Sequence, residues 1–376
     1  MPSLNLSEWA VVMPSIREIN LEYLAPIPEE VRIFIVDDSN GTIEPSRPNM
    51  EVFVYDDYRR VLGDEEAIIP RKSDTCRSFG FYQAWKEGYK YVITLDDDCK
   101  CHEGFMQGHS IVDQELTVKS VNPLPWFNTL DLLELKTEEP TDRRHYSRGL
   151  PYRYRSNTVP SLEEGSATGR VACNVGLWTQ VPDINGLDKL GVETPTSVGL
   201  KQDCVAVGPG SMFSLTIMNV AILAEALPAF YQLPMGVNVC DTQLDRFGDI
   251  WSGYILKKLT DIRGDLVTTG QPLVTHTKAG NTIRETQVEH YGHLMEGDFY
   301  ELVDRAADEV DAGSYEDKYY QFAENFVLAT SRRALPDAYR EFFNEMGGKM
   351  IRWSKLFQQA PVHEVAPARS AVAPVG

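Results

Sequence analysis

The chain of 376 residues carries a formal charge of −19, and 43% of its residues are hydrophobic. That apolar content is enough for a sizeable core and excludes a wholly disordered protein. The acidic balance argues against nucleic acid and anionic lipid as partners, because both repel a negatively charged surface at long range. It does not exclude a small phosphorylated ligand, since a local arginine or a divalent cation reverses the charge inside one pocket.

The amino terminus lacks a basic stretch followed by an unbroken apolar run, so no signal peptide is predicted. Apolar runs elsewhere are interrupted well short of a spanning length, and we expect no integral membrane segment. The six cysteines are scattered and lack the spacing of a zinc site or a redox pair. They favour reduced thiols, and therefore a cytoplasmic protein.

The amino-terminal third alternates short apolar strands with helices. Strands are predicted at 10–13, 31–36, 52–55 and 91–95, with a brief helix at 19–24 and a longer one at 75–90. This alternation is typical of an α/β protein with a mostly parallel central sheet. The carboxyl ends of such strands meet at one edge, where ligands bind, so Asp37 with Asp38 and the run Asp96–Asp98 should share one crevice.

The remaining two thirds are less regular. Residues 116–168 are predicted to be a loop-rich insertion over the sheet edge, 208–232 a strand and a buried helix, and 251–259 a helix. We divide the chain into an α/β domain (1–288), a helical extension (289–359) and a disordered tail (360–376). The extension is a candidate surface for assembly into a homo- or hetero-oligomer.

The strongest local signal is the triple aspartate that follows an apolar strand. Three adjacent carboxylates repel one another, and their removal from water needs compensation. Mn²⁺ or Mg²⁺ provides it, because both prefer hard oxygen ligands and also bridge phosphates. A solvated acidic turn is the alternative, but the position directly after a strand favours a metal site at Asp96 and Asp98.

Other candidates are weaker taken singly. Arg77 begins a predicted helix, where a guanidinium could grip a phosphate, although surface helix arginines are common. His276 follows a strand-like segment and is a candidate metal ligand from a later part of the sequence. Lys278 nearby could reach a diphosphate. Asp249 is an isolated acid in RFGDIWSG.

The segment 148–155, RGLPYRYR, packs three arginines and two tyrosines into eight residues of an acidic protein. A nucleoside diphosphate is one possible partner for this basic patch. A salt bridge with Glu163 or Glu164 is the other interpretation that the sequence leaves open.

Several segments together resemble the plant reversibly glycosylated polypeptides, the UDP-arabinopyranose mutases of glycosyltransferase family 75. The similar pieces occur in family order between about residues 10 and 285: VVMPSIRE, DTCRSFGF, YVITLDDDC, WFNTL, RGLPYRYR, GLW with VPD, GPGSMFSLTIMN, RFGDIWSG and HTKAGN. Each is weak alone, but the ordered set is specific. Residues beyond about 290 have no match that we can place.

The resemblance implies a GT-A-like fold that binds a UDP-sugar, with Mn²⁺ or Mg²⁺ at Asp96 and Asp98, and we expect His276 to be a further ligand. Residues expected around the nucleotide are Arg17, Asp38, Arg77, Asp97 and Lys278. It also implies that Arg148 becomes reversibly glycosylated and that Arg155 is needed for the same step, and we expect Asp249 to be catalytic. The reaction implied is the interconversion of the pyranose and furanose forms of the sugar.

The covalent step needs help, because a free guanidinium is protonated at neutral pH and is a poor nucleophile. A nearby carboxylate is the expected helper, and the sequence does not identify it. Electrostatic clamping of the diphosphate by Arg148 and Arg155 is the alternative.

The chain also departs from the plant pattern, since Gly248 replaces the first of two acids and Asp37-Asp38-Ser39 replaces Gln-Asp-Gly. A self-glycosylating or acceptor-directed transferase and an inactive partner subunit are therefore the competing hypotheses.

Overall fold

The computed structural model describes residues 4–121, 125–139, 141–157, 165–278 and 280–358. The strands in this part are β1 (Trp9–Ser15), β2 (Arg32–Asp37), β3 (Met50–Phe53), β4 (Tyr91–Leu95), β5 (Cys99–Cys101), β6 (Glu115–Val121), β7 (Trp126–Phe127), β8 (Leu133–Lys136), β9 (Gly165–Gln180), β10 (Thr196–Leu200), β11 (Cys204–Val207), β12 (Met212–Phe213), β13 (Asn219–Leu223), β14 (Val237–Val239), β15 (Thr242–Leu244) and β16 (Leu266–His276). The α-helices are α1 (Tyr55–Leu62), α2 (Arg77–Lys86), α3 (Phe105–His109), α4 (Gly186–Lys189), α5 (Gly248–Arg263), α6 (Thr282–Asp308), α7 (Tyr315–Arg332) and α8 (Asp337–Phe357). The predicted tail at 360–376 lies outside the described residues.

The amino-terminal part of the main sheet, four of the twelve strands in the described residues, is parallel, as predicted. Its strand order is β3-β2-β1-β4, and each neighbouring pair runs in the same direction. Residues 10–12 of β1 are fully buried between layers, which explains their unbroken apolar run. The third strand was predicted two residues too late, because Tyr55 already begins α1 and Asp57 caps that helix by accepting from the Val54 N–H at 2.9 Å.

The rest of the sheet is mixed: β6 with β11 and β9 with β16 are parallel, and the other pairs there are antiparallel, so the prediction of a mostly parallel sheet holds fully for the first four strands alone. β13 pairs antiparallel with both β4 and β9, and β6 pairs antiparallel with β9. The prediction of a loop-rich stretch at 116–168 was wrong for its first part, since β6 is a seven-residue strand of this sheet. Its side chains are largely exposed on one face and give a weak hydrophobic signal.

The predicted helix within 208–232 was also wrong. The apolar run there forms β13 and then a short 3-10 helix, Ala224–Ala229, that contains Pro228. Proline removes a backbone donor and clashes with the preceding turn, so an α-helix does not continue through it. The brief helix predicted at 19–24 is a 3-10 turn, Leu21–Leu24, and the helix predicted at 75–90 ends at Lys86 before Gly88, whose φ is +82°.

The helices predicted beyond residue 289 are present as most of α6 and all of α7 and α8. The boundary drawn at residue 288 falls inside α6, which begins at Thr282. One hydrophobic cluster includes both strand residues such as Val12 and helix residues such as Phe299 and Trp353. In the described part of the chain, every helix is too short or too polar to cross a membrane.

Candidate active site

Two adjoining cavities open beyond the carboxyl ends of β1, β2 and β4. The first, of about 200 Å³, lies against Arg17, Asp38 and Asp97. The second, of about 240 Å³, lies against Arg148, Asp249 and Lys278. Both cavities are lined by the same four charged residues, so they form one continuous crevice: Asp74, Arg77, Asp96 and Asp98. The crevice lies where ligands bind in parallel α/β sheets.

The three aspartates after β4 have different partners. Asp96 forms an ion pair with Arg77. Asp97 accepts hydrogen bonds from the Ser15 hydroxyl at 2.6 Å and from Nε of Arg17 at 2.8 Å. Asp98 is half-buried, and Nε2 of His276 lies 3.9 Å from its Oδ1. Burial raises the pKa of Asp98, and the charge of Asp96 adds to this effect. Asp98 is therefore the carboxylate of the three that most needs a further positive partner.

His276 is oriented by the main chain at the end of β16. Its Nδ1 lies 2.8 Å from the carbonyl oxygen of Val181, which can only accept, so Nδ1 carries the proton. The lone pair of Nε2 then faces Asp98. This is the arrangement by which proteins commonly orient a metal-binding imidazole. Within the described ranges, no group of three or more His, Cys, Asp or Glu side chains is placed to hold a metal ion by itself.

Arg77 is buried beneath the floor of the crevice. Its two terminal nitrogens donate to Thr94 and Asp96, both on or directly after β4. Burial would lower the pKa of Arg77, but the charges of Asp96 and Asp74 outweigh it and raise the pKa. Arg77 thus supplies a fixed positive charge below the aspartates.

Asp38 and Lys278 each border one of the two cavities. Asp38 lines the first and accepts from the Lys72 N–H at 2.8 Å and the Tyr55 hydroxyl at 2.9 Å. Burial raises the pKa of Asp38 despite these hydrogen bonds. Lys278 is exposed and lines the second cavity. Both side chains therefore reach the crevice in which the sequence placed them.

Arg148 forms the wall of the second cavity, and 7% of its side chain is exposed. Its Nε donates to Asp183 at 2.7 Å, and its terminal nitrogens donate to the two carboxylate oxygens of Asp249 at 3.2 and 2.6 Å. Nη1 also donates to the carbonyl oxygen of Arg246. Burial would lower the pKa of Arg148, but Asp183 and Asp249 hold it well above its usual value.

The turn that presents Arg148 depends on Gly149. Gly149 has a φ of +77°, and an added Cβ would collide with the side chain of Ile250 in α5. Its N–H donates to the side chain of Asn185 at 2.9 Å. The Arg-Gly pair of the motif therefore combines a buried guanidinium with a turn that only glycine fits.

Arg155 is not among the residues that line either cavity. Its terminal nitrogens donate to both oxygens of Asp188 at 2.7 and 2.6 Å, and its guanidinium lies 3.8 Å from the ring centre of Tyr152. Asp188 in turn accepts from Asn185, which holds Gly149. Arg155 thus supports the turn that carries Arg148. Glu163 and Glu164, the alternative salt-bridge partners suggested for this arginine-rich segment, lie outside the described residues.

Several charged residues of the crevice were not predicted from the sequence: Asp74, Asp183, Lys189, Arg246 and Glu285. Asp183 follows the long strand β9 closely, so the rule that acids after strands mark the crevice could have found it. Asp74 lies where the two cavities meet.

Gly248 replaces the first of two acids in the plant pattern, but this replacement does not remove a carboxylate from the crevice. A Cβ at this position would lie 2.7 Å from the carbonyl oxygen of Leu233 and 3.2 Å from Met235. A side chain at 248 would therefore point into packed structure. Asp249, one residue later, is the acid that faces Arg148.

The fold and the crevice together define an α/β protein with paired acids and arginines at the carboxyl edge of its sheet. Comparison with known proteins specifies the family: the sequence profile described as "Reversibly glycosylated polypeptide" matches residues 4–361. The chain belongs to the reversibly glycosylated polypeptide family. The match continues to residue 361, so the expectation that residues beyond about 290 have no counterpart was wrong.

Named relatives cover nearly the whole chain. "Probable UDP-arabinopyranose mutase 1" of Pisum sativum is 28% identical over 94% of this chain and 91% of its own length. "UDP-arabinopyranose mutase 1" of Arabidopsis thaliana is 26% identical over 94% of this chain and 92% of its own. "UDP-arabinopyranose mutase 1" of Oryza sativa subsp. japonica is 26% identical over 97% of this chain and 93% of its own.

Proposed function

We propose that the protein is a UDP-sugar mutase, which interconverts the pyranose and furanose forms of the sugar while it is attached to UDP. The observation that carries this proposal is the position of Arg148. It is buried between Asp183 and Asp249 in the wall of a cavity that opens directly onto Asp96 and Asp98. The names of the three relatives support the same reaction, with arabinose as the first sugar to test.

We propose that the first cavity binds UDP and the second binds the sugar. Arg17, Arg77 and Lys278 provide positive charge along this path in a protein of net charge −19. A diphosphate placed between the two cavities would lie beside the residues that line both. This arrangement would put the bond between sugar and phosphate near Arg148.

Metal dependence is part of the proposal. Asp98 and Nε2 of His276, with Asp96 beside them, would hold Mn²⁺ or Mg²⁺ together with substrate phosphates, since no three of the described His, Cys, Asp and Glu side chains are placed to hold the ion alone. A site with few protein ligands suits Mg²⁺, which usually keeps several waters and binds through one or two carboxylates together with substrate phosphates. When bound, the ion would neutralise negative charge on the departing diphosphate.

The geometry suggests which atom of Arg148 reacts. Nε donates to Asp183, and Nη1 has two acceptors, Asp249 and the Arg246 carbonyl. Nη2 has a single acceptor among the described residues, Oδ2 of Asp249 at 2.6 Å. Its second hydrogen position faces no described acceptor, so Nη2 is the nitrogen best placed to meet a substrate.

In the proposed step, Nη2 attacks the anomeric carbon and gives its proton to Asp249. The bond from that carbon to the phosphate oxygen breaks, and its electron pair leaves with UDP. The bond from the anomeric carbon to the ring oxygen then breaks and that oxygen takes up a proton, while a neighbouring hydroxyl adds to the same carbon and releases a proton, so that no atom is gained or lost. Attack by UDP reverses the first step, and the proton returns to Nη2.

We further propose that the fold is GT-A-like and that the protein is cytoplasmic. The parallel order β3-β2-β1-β4, followed by antiparallel β13 and an acidic run after β4, supports the fold assignment. All six cysteines are free, which suits a reducing compartment. Assembly into a homo- or hetero-oligomer stays a prediction.

The test is incubation with Mn²⁺ and a panel of UDP-pentoses and UDP-hexoses, with products resolved by chromatography. An isomeric UDP-sugar is the expected product and would identify the sugar. Release of free UDP would replace the proposal with a transferase. Unchanged substrates across the panel would contradict it and favour a partner subunit without activity.

A further inference from the structure

Arg246 contacts both Arg148 and its buried partner Asp183. It immediately precedes Phe247, the N-cap residue of α5, and has a φ of +64°, a conformation uncommon for residues other than glycine. Its carbonyl oxygen accepts from Nη1 of Arg148. Non-glycine residues in this region cluster at functional sites, where the surrounding structure holds them in place.

The side chain of Arg246 is held by buried acids. Nε donates to Glu289 at 2.8 Å, and the terminal nitrogens lie 3.4 Å from Asp183 and 3.5 Å from Glu285. Asp183 therefore bridges two guanidinium groups, with Oδ2 on Arg148 and Oδ1 on Arg246. Glu289 is fully buried and also accepts from the Gly186 N–H at 2.7 Å.

We propose that Arg246 is a positioning residue, which fixes the orientation of the Arg148 guanidinium through Asp183 and through its own main-chain carbonyl. This inference rests on the proposed role of Arg148. Nε of Arg148 is bound by Asp183, which Arg246 contacts, and Nη1 is bound by the carbonyl oxygen of Arg246. The Arg148 guanidinium therefore cannot rotate without breaking these bonds. Nη2 is then kept at the open side of the cavity.

The variant Arg246→Gly separates the contribution of the Arg246 side chain from that of its main-chain carbonyl. Glycine adopts a positive φ readily, so the carbonyl can stay in place while the side chain is removed. Arg246→Lys keeps the charge but loses the planar fork that reaches several carboxylates. Arg333→Gly is the control, because Arg333 also joins two acids, Asp298 and Glu301, but lies outside the crevice.

Two measurements are needed. The first is kcat together with the Kd for UDP. The second is the Nε–H signal of Arg148 in ¹⁵N NMR spectra, which is assigned by its loss in Arg148→Lys. We expect Arg246→Gly to lower kcat by roughly 100-fold, as for other misplaced catalytic groups, with the Kd for UDP nearly unchanged. The Nε–H signal should lose its protection from exchange. Arg246→Lys should be intermediate, and the control should match the wild type.

The positioning role and the mutase function fail in different ways. A protected Nε–H signal in Arg246→Gly overturns the positioning role, whatever happens to turnover. Wild-type protein that leaves every UDP-sugar unchanged overturns the proposed function, while the NMR comparison still tests Arg246. Equal losses of UDP affinity and kcat in Arg246→Gly would also contradict positioning, because that role leaves the UDP cavity intact.

Discussion

The terminal nitrogens of Arg148 donate to both carboxylate oxygens of Asp249, and the shorter bond, 2.6 Å, joins Nη2 to Oδ2. This fork geometry links the turn at residue 148 to the start of α5, 101 positions later in the chain. It supplies the carboxylate that the chemistry of a reacting guanidinium requires. Asp183 is also close, but its pKa is lowered: burial opposes ionisation, and the charges of Arg148 and Arg246 overcome that effect. Oδ2 of Asp249 faces Nη2, the nitrogen proposed to react, and Asp249 is therefore the proposed proton acceptor.

Asp249→Asn tests that assignment. The amide keeps the shape of the side chain but cannot accept a proton, so kcat should fall by roughly 100-fold or more, in the range seen for general bases. UDP binding should persist. Steady-state kinetics and calorimetry measure both quantities, with Asp304→Asn as a control at a carboxylate bound to Tyr254 outside the crevice. Retention of full activity would contradict the role of Asp249.

Asp98→Ala tests the metal site. Removal of the half-buried carboxylate opposite His276 should abolish Mn²⁺-dependent binding of UDP, as measured by calorimetry with and without the ion. Asp97→Asn is the comparison within the same run, because Asp97 is already bound by Ser15 and Arg17 and should have a smaller effect. Unchanged binding by Asp98→Ala would refute the metal assignment.

Arg155→Lys distinguishes support of the turn from direct contact with the substrate. Lysine cannot make the paired bonds to Asp188 or stack equally on Tyr152, so the free energy of unfolding should drop by about 1–2 kcal/mol. The Kd for UDP should not change. Urea unfolding and calorimetry measure these, with the exposed neighbour Arg153→Lys as control. Weaker UDP binding at unchanged stability would show that Arg155 contacts the ligand.

Glu296 predicts a pH dependence of stability. Burial raises the pKa of Glu296 above its usual value of 4.5, although His293, whose Nδ1 lies 3.8 Å from Oε2, opposes the shift. The folded state therefore binds the proton of this carboxyl more tightly than the unfolded state does. The stability contribution of the group is present below the unfolded pKa and is lost as pH rises through the folded pKa.

Glu296→Gln should accordingly raise the melting temperature at pH 7, by about 2 °C, and the gain should shrink below pH 4. Glu301→Gln is a control of opposite sign, because a hydrogen bond from Arg333 lowers the pKa of Glu301. The stabilising effect of Glu301 is present above its unfolded pKa and is lost as pH falls. Melting curves between pH 4 and 8 separate the two, and a destabilised Glu296→Gln at pH 7 would contradict the account.

The sequence predicted those parts of the candidate site that are marked by short motifs of neighbouring residues. The acids after β4 and the Arg-Gly pair are both short motifs, and both line or support the crevice. The mixed part of the sheet was harder to predict, because β9 alternates in exposure over its first residues and is then continuously buried, so its pattern has no single period. The role of Arg246 could not be predicted from RFGDIWSG, since it depends on where α5 and α6 place this residue beside Asp183.

The measurement that tests the central claim most directly is peptide mapping by mass spectrometry after incubation with a UDP-sugar and Mn²⁺. We expect a labile adduct with the mass of one sugar on Arg148, absent from Arg148→Lys and reversed by added UDP. The same sample should contain the isomeric UDP-sugar. Isomer formation without any adduct, or an adduct mapped to a residue other than Arg148, would contradict the proposed reaction.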